Sequence, residues 1–153
     1  MKGNKDVIAG LQAALALEAT IQLQYQADAR MLKAMGLKSL ASKAAEYSTD
    51  SAAFLQKLMK RLLLFRESIG YLSEAVEDRT DVTELLAGEL DLEMAIVDPY
   101  EQNVQVAQKA YDDTTRNLYE HLLKWHQEHV KWIEREQALL ETLGSSDYIA
   151  SRI

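Results

Sequence analysis

ESIGYLSEAVEDRTD, residues 67–81, is the stretch that decides how the rest of the chain is arranged. It breaks the 3.6-residue apolar period that the segments on both sides of it carry. It is also long enough to travel the length of a helix, so it reads as a crossover between two helices rather than as a hairpin turn. Its last residue begins Asp81-Val82-Thr83-Glu84, which resembles a capping box and opens the next helix.

Working outward, the preceding segment reads as a helix from about Lys38 to Arg66. Only a tight turn separates it from an earlier helix running from about Asp6 to Met35, which Gly36 ends. At 1.5 Å per residue that first helix is about 45 Å long, and the short turn makes the pair an antiparallel hairpin. Beyond the crossover, the third helix carries Pro99 near its middle; losing one backbone bond there is expected to kink it. A fourth helix runs from about Asp113 to Leu143 and stops at Gly144, and the tail SSDYIASRI, 145–153, is expected to form a short fifth. The fold class is all-α: a four-helix bundle, ferritin-like in having one long crossover between helices 2 and 3, with a short C-terminal helix. A chain of 153 residues with 48% hydrophobic residues fits one domain, 1–153, with a sizeable core.

Composition removes several classes of function. A net charge of −7, without runs of Lys or Arg to neutralise phosphates, argues against nucleic acid and makes cations the natural partners. The start MKGNKDV is polar with no apolar region of a leader behind it, and no uninterrupted apolar stretch approaches the roughly 20 residues of a membrane helix. The expectation is a soluble cytoplasmic protein with no membrane partner. With no cysteine, any metal site must use carboxylate and imidazole.

WHQEHVKW, 125–132, supplies the imidazoles. His126 and His129 lie three apart, on one helical face with Leu118, Leu122, Ile133 and Leu140. On the third helix Glu93 shares a face with Leu86, Leu90, Ile96, Val97 and Tyr100, and on the first Glu18 shares one with Leu11, Leu15, Ile21 and Tyr25. A carboxylate buried in such a stripe costs several kcal/mol unless it is paired or bound to a cation. Each of these groups taken singly is more often a salt-bridged or hydrogen-bonded core residue than a ligand. The four lie near the middles of their helices, however, and a shared metal ion at Glu18, Glu93, His126 and His129 would satisfy them together. The segment lacks the glutamate of H-E-x-x-H, and its histidines stand three apart rather than four, so it is a poor zinc-protease motif.

MKGNKDVIAGLQAALALEAT at the start, QYQADARMLKAMGLKSLA at 24–41 and LGSSDYIASRI at the end resemble bacterioferritin, and the likeness runs essentially end to end. The resemblance implies a subunit of a hollow 24-subunit cage that oxidises ferrous iron at a di-iron centre and stores the mineral. In that family the centre takes Glu from the first helix, Glu-x-x-His from the second, Glu from the third and Glu-x-x-His from the fourth. Glu18, Glu93 and His129 match. In EYSTDSAAFLQK, 46–57, Ser51 and Phe54 stand where the family places Glu and His, and His126 replaces the other bridging Glu. Two cations without bridging oxygens repel with little to offset it. The remaining set suits one borderline ion, iron or zinc, or none. Ala52 stands where the family's haem-ligating Met would be, so haem held by the usual ligand is not expected.

Assembly has its own support in a second apolar stripe, Ala16, Ala19, Leu23, Ala27 and Met31 on the first helix and Ala45, Ala52, Met59 and Leu63 on the second. The resemblance makes this a subunit interface, in a homo-oligomer or in a hetero-oligomer with another bacterioferritin subunit. Asp50 and Glu46 are candidates for the cage interior, solvated acids being the commoner case. Three functions follow: an iron-storage subunit with little ferroxidase activity, alone or beside a competent sister subunit; a ferroxidase using a single-metal site; or a cage scaffold with no iron role.

Overall fold

The computed structural model describes residues 2–70 and 76–153. The chain forms helices α1 (Lys5–Ala34), α2 (Lys38–Leu64), α3 (Val82–Lys109), α4 (Asp113–Leu143) and α5 (Ser145–Arg152), with no strand among the described residues. Asn4 starts α1 by accepting the amides of Asp6 and Val7. Its end is a Schellman turn: the amide of Gly36 donates to Lys33 O and that of Leu37 to Leu32 O, with Gly36 at φ 80°. The turn reverses the chain at once, and α2 packs back along α1 as the sequence leads one to expect.

Asp81 caps α3 by accepting the Glu84 amide at 2.8 Å. The return bond of the capping box is shifted by one residue: Glu84 accepts the amide and the hydroxyl of Thr80 rather than the amide of Asp81. Helix α3 continues through Pro99 to Lys109. Two further Schellman turns close α2 and α3, with Arg66 (φ 60°) and Tyr111 (φ 55°) in the left-handed position that glycine holds after α1.

The crossover can be followed from both sides of residues 71–75, which lie outside the described residues. Ser68 O accepts from Gln12, the backbone of Glu77 exchanges two hydrogen bonds with the Gln24 side chain, and Arg79 pairs with Asp28 at 2.7 Å. The partners on α1 advance from Gln12 for Ser68 to Gln24 for Glu77 and Asp28 for Arg79, so α3 starts at the far end of α1. Arg79 lies buried over Gly88, where a Cβ would overlap its guanidinium, so a larger residue there would have to displace the arginine. Asp28 also accepts from Gln24 at 2.9 Å. Neighbouring Glu89 is fully enclosed, and burial pushes its pKa well up, the adjacent Asp28 charge adding to the effect.

The core fills the space between the two hairpins, with Leu11, Leu15, Ile21, Leu58, Leu62, Ile96 and Leu122 at its centre. By length and composition, α1 is the one helix among the described residues apolar enough to cross a membrane. Here it is a core helix: Leu11, Leu15 and Ile21 sit in the packed interior, and its Glu18, Gln24 and Asp28 are buried and bonded to other segments of the bundle. The second apolar stripe separates on folding. Ala19 belongs to the core, whereas Leu23 (38% exposed) and Leu63 (57%) face outward, with Ala16, Ala27, Met31, Ala52 and Met59 half-buried between.

Candidate metal centre

All four candidates converge. Glu18 from α1, Glu93 from α3, and His126 and His129 from α4 are buried at one level of the bundle. His126 stands between the two acids, its Nε2 2.6 Å from Glu18 Oε1 and its Nδ1 2.6 Å from Glu93 Oε2. His129 Nδ1 lies 3.0 Å from Glu93 Oε1.

Two tyrosines complete the arrangement crosswise. Tyr25 of α1 donates to Glu93 Oε1 at 2.5 Å, and Tyr100 of α3 donates to Glu18 Oε1 at 2.9 Å. Each tyrosine lies seven residues after the acid on its own helix and serves the acid on the other. Burial, helped by those acids, pushes both phenols well up, so they remain neutral donors. Sequence reasoning placed Tyr25 and Tyr100 on the inward faces but missed this role; the repeated seven-residue spacing Glu18/Tyr25 and Glu93/Tyr100 was the available signal.

Charge follows from these contacts. Burial works against a protonated His126, but Glu18 and Glu93 outweigh it and raise its pKa to about 10. Burial likewise works to raise Glu93, and the His126 charge together with hydrogen bonds from both histidines brings it down to about 2. For His129 burial wins and its pKa falls. A neutral ring with Nδ1–H donating to Glu93 leaves Nε2 as the acceptor, and that atom is buried without a partner.

A pH dependence follows from these directions. A raised His126 stabilises the fold fully below 6.5, and that contribution is lost as pH rises toward about 10; a lowered Glu93 stabilises above 4.5, and that contribution is lost as pH falls toward about 2. Both describe one interaction, so stability is expected to be greatest between about pH 4.5 and 6.5 and to decline above it. Glu89, whose folded pKa is raised, adds a decline that begins as pH rises past 4.5 and so weights the maximum toward the acid end of that window. Guanidinium unfolding midpoints measured from pH 4 to 10 check this; a midpoint that climbs above pH 6.5 would contradict it.

The wall contributed by α2 is aromatic. The Tyr47 ring lies over His129 with centroids 3.5 Å apart, and Phe54 packs edge-on against Trp125 at 5.1 Å. Trp125 in turn meets His126 edge-on at 4.9 Å. Ser51, between Tyr47 and Phe54, is buried, and its hydroxyl has no partner. No carboxylate reaches the site from α2. Metal ligands at about 2.1 Å and at angles of 90–109° stand about 3.0–3.4 Å apart, wider than the 2.6 Å contacts on either side of His126. Among the described residues no group of three or more His, Asp or Glu side chains is set out to hold a metal ion.

Of the two surface acids considered for iron attraction, Asp50 accepts the Trp125 indole N–H at 3.1 Å and Glu46 pairs with Lys43 at 3.6 Å. Ala52 is half-buried on α2.

Comparison with known proteins agrees with the topology. The ferritin-like domain family matches residues 8–143. A bacterial ferritin of Synechocystis sp. is 29% identical over 156 residues, spanning 100% of this chain and 99% of the relative. A bacterioferritin of Streptomyces coelicolor is 27% identical over 154 residues (100% and 92%), and one of Brucella melitensis is 29% identical over 150 residues (97% and 92%). A hairpin pair joined by a long strap along α1, with this family match over nearly the whole chain, makes the protein a member of the ferritin-like family.

Proposed function

We propose that this chain is a cytoplasmic iron-storage shell subunit with little iron-oxidising activity of its own, working beside a subunit that has an intact centre. The observation that carries this reading is the α2 wall of Tyr47, Ser51 and Phe54, which supplies neither a bridging carboxylate nor an imidazole to a pair of irons. The family and full-length likeness to bacterial ferritins support the storage role. Exposed Leu23 and Leu63 on the outer faces of α1 and α2 support burial against another subunit. A shell of 24 subunits is what the sequence's resemblance to bacterioferritin implies.

The test is to express the chain alone and together with a ferroxidase-competent bacterioferritin, then compare sedimentation and iron loading. Expected are closed shells in both cases, slow mineral formation by the chain alone, and faster loading in the mixed shells. A monomer or dimer at micromolar concentration, or shells that take up no iron in either setting, would contradict it. The latter result would favour a scaffold without an iron role.

A further inference from the structure

We infer that the His126 side chain stands where a metal ion would have to stand between Glu18 and Glu93, and that the centre is therefore complete without one. This goes beyond the storage role and holds whether or not the shell fills with iron.

The argument is geometric. An ion joining Glu18 of α1 to Glu93 of α3 must lie between their carboxyl groups. That place is filled by an imidazole ring whose two nitrogens face opposite ways, each 2.6 Å from an oxygen of a different acid. Such contacts are the length of charge-assisted hydrogen bonds. With N–H donating on both sides, the ring ties α4 to α1 and α3 at once.

The remaining side chains are tied by their own hydrogen bonds. Glu93 Oε1 receives Tyr25 and His129, and Glu18 Oε1 receives Tyr100 as well as His126. On the α2 side, where further ligands would have to enter, Phe54 and Trp125 pack edge-on against the His126 ring or its neighbour. Two buried acceptor atoms of the set, Glu18 Oε2 and His129 Nε2, have no hydrogen-bond partner, but each belongs to a group whose other polar atom is held in these bonds. The ring does for the two acids what an ion would do: it sets a shared hydrogen-bonding partner between them and fills the volume. His126 thus acts as a positioning residue that seals the centre.

The test is cobalt-edge anomalous diffraction on crystals of the assembled native protein and of His126→Glu, both grown with millimolar Co(II). For the native protein the expected result is no anomalous peak within bonding distance of Glu18 or Glu93, whatever binds at surface acids. A peak between those two carboxyl groups would overturn the inference. For His126→Glu, which removes the ring and adds a carboxylate, a peak is expected there. A folded His126→Glu protein that still excludes cobalt would show that His126 is not what seals the site. Should that variant fail to fold, His126→Ser, which opens the same space without adding charge, carries the same expectation and the same refutation.

Discussion

Replacing His126 with leucine is expected to destabilise the fold by about 3–5 kcal/mol at neutral pH, because it leaves two buried acids facing each other without their shared donor. Glu18 and Glu93 are both fully buried, and each directs an oxygen at the His126 ring at 2.6 Å. After the change each keeps a tyrosine, Tyr100 for Glu18 and Tyr25 for Glu93, but a neutral phenol does not offset a second carboxylate a few ångströms away. Leucine is close in volume to the imidazole, so little of the loss comes from a cavity. The companion variant separates the two causes. Removing the charges together, with Glu18→Gln, Glu93→Gln and His126→Leu, is expected to cost much less than His126→Leu alone, since a buried ion cluster replaced as a unit is often close to neutral. Guanidinium unfolding of the assembled shells measures both. A single variant no less stable than the triple would mean that His126 is not the partner the geometry makes it.

The second large effect is on iron. Ser51→Glu, Phe54→His and His126→Glu together are expected to convert slow, surface-driven oxidation into a fast phase that saturates at two irons per subunit. Each substitution alone is expected to do little, because two irons need their own imidazole ligands and both bridges. The geometry gives the reason: α2 already faces the centre through Ser51 and Phe54, so longer polar side chains at these positions point into it. The cost is packing. Phe54 meets Trp125 at 5.1 Å, and a histidine there loses apolar contact worth about 2–4 kcal/mol unless the metal compensates. Trp125, beside both Phe54 and His126, is the next residue to reduce if the fast phase is incomplete. Stopped-flow oxidation of ferrous iron decides it, and a native chain that already oxidises two irons per subunit as fast as the triple variant would remove the explanation.

Much of the fold was legible because local and tertiary signals agree. Apolar periodicity, the Gly36 and Gly144 stops and the Asp81 cap give helix bounds within two residues of those observed. Arg66 and Tyr111 show where local signals stop: both hold left-handed backbone at helix ends without the glycine or asparagine that announces it. The convergence of Glu18, Glu93, His126 and His129 was also legible, since a charged residue in an apolar stripe stands out against its neighbours. What each group does there was not. A sequence shows that four ionisable groups meet; only coordinates show that one ring separates the two acids at hydrogen-bond length and that Tyr47 stacks on His129. Ala19 was misassigned to the outer stripe because alanine on a helix gives no preference between two adjoining faces.

The buried acids of α1 have a consequence for the chain during synthesis. Helix α1 is made before α2, α3 and α4, and apart from its charges it has the length and composition of a spanning segment. Glu18 lies near its middle, with Asp28 further along. An acid at the centre of a bilayer raises the free energy of insertion by roughly 2.5–3.5 kcal/mol. Before the strap, α3 and α4 exist to receive them, Glu18 and Asp28 already make the nascent helix a poor client for the membrane-insertion machinery, so side chains that later lock the bundle together first keep the unfinished chain in water.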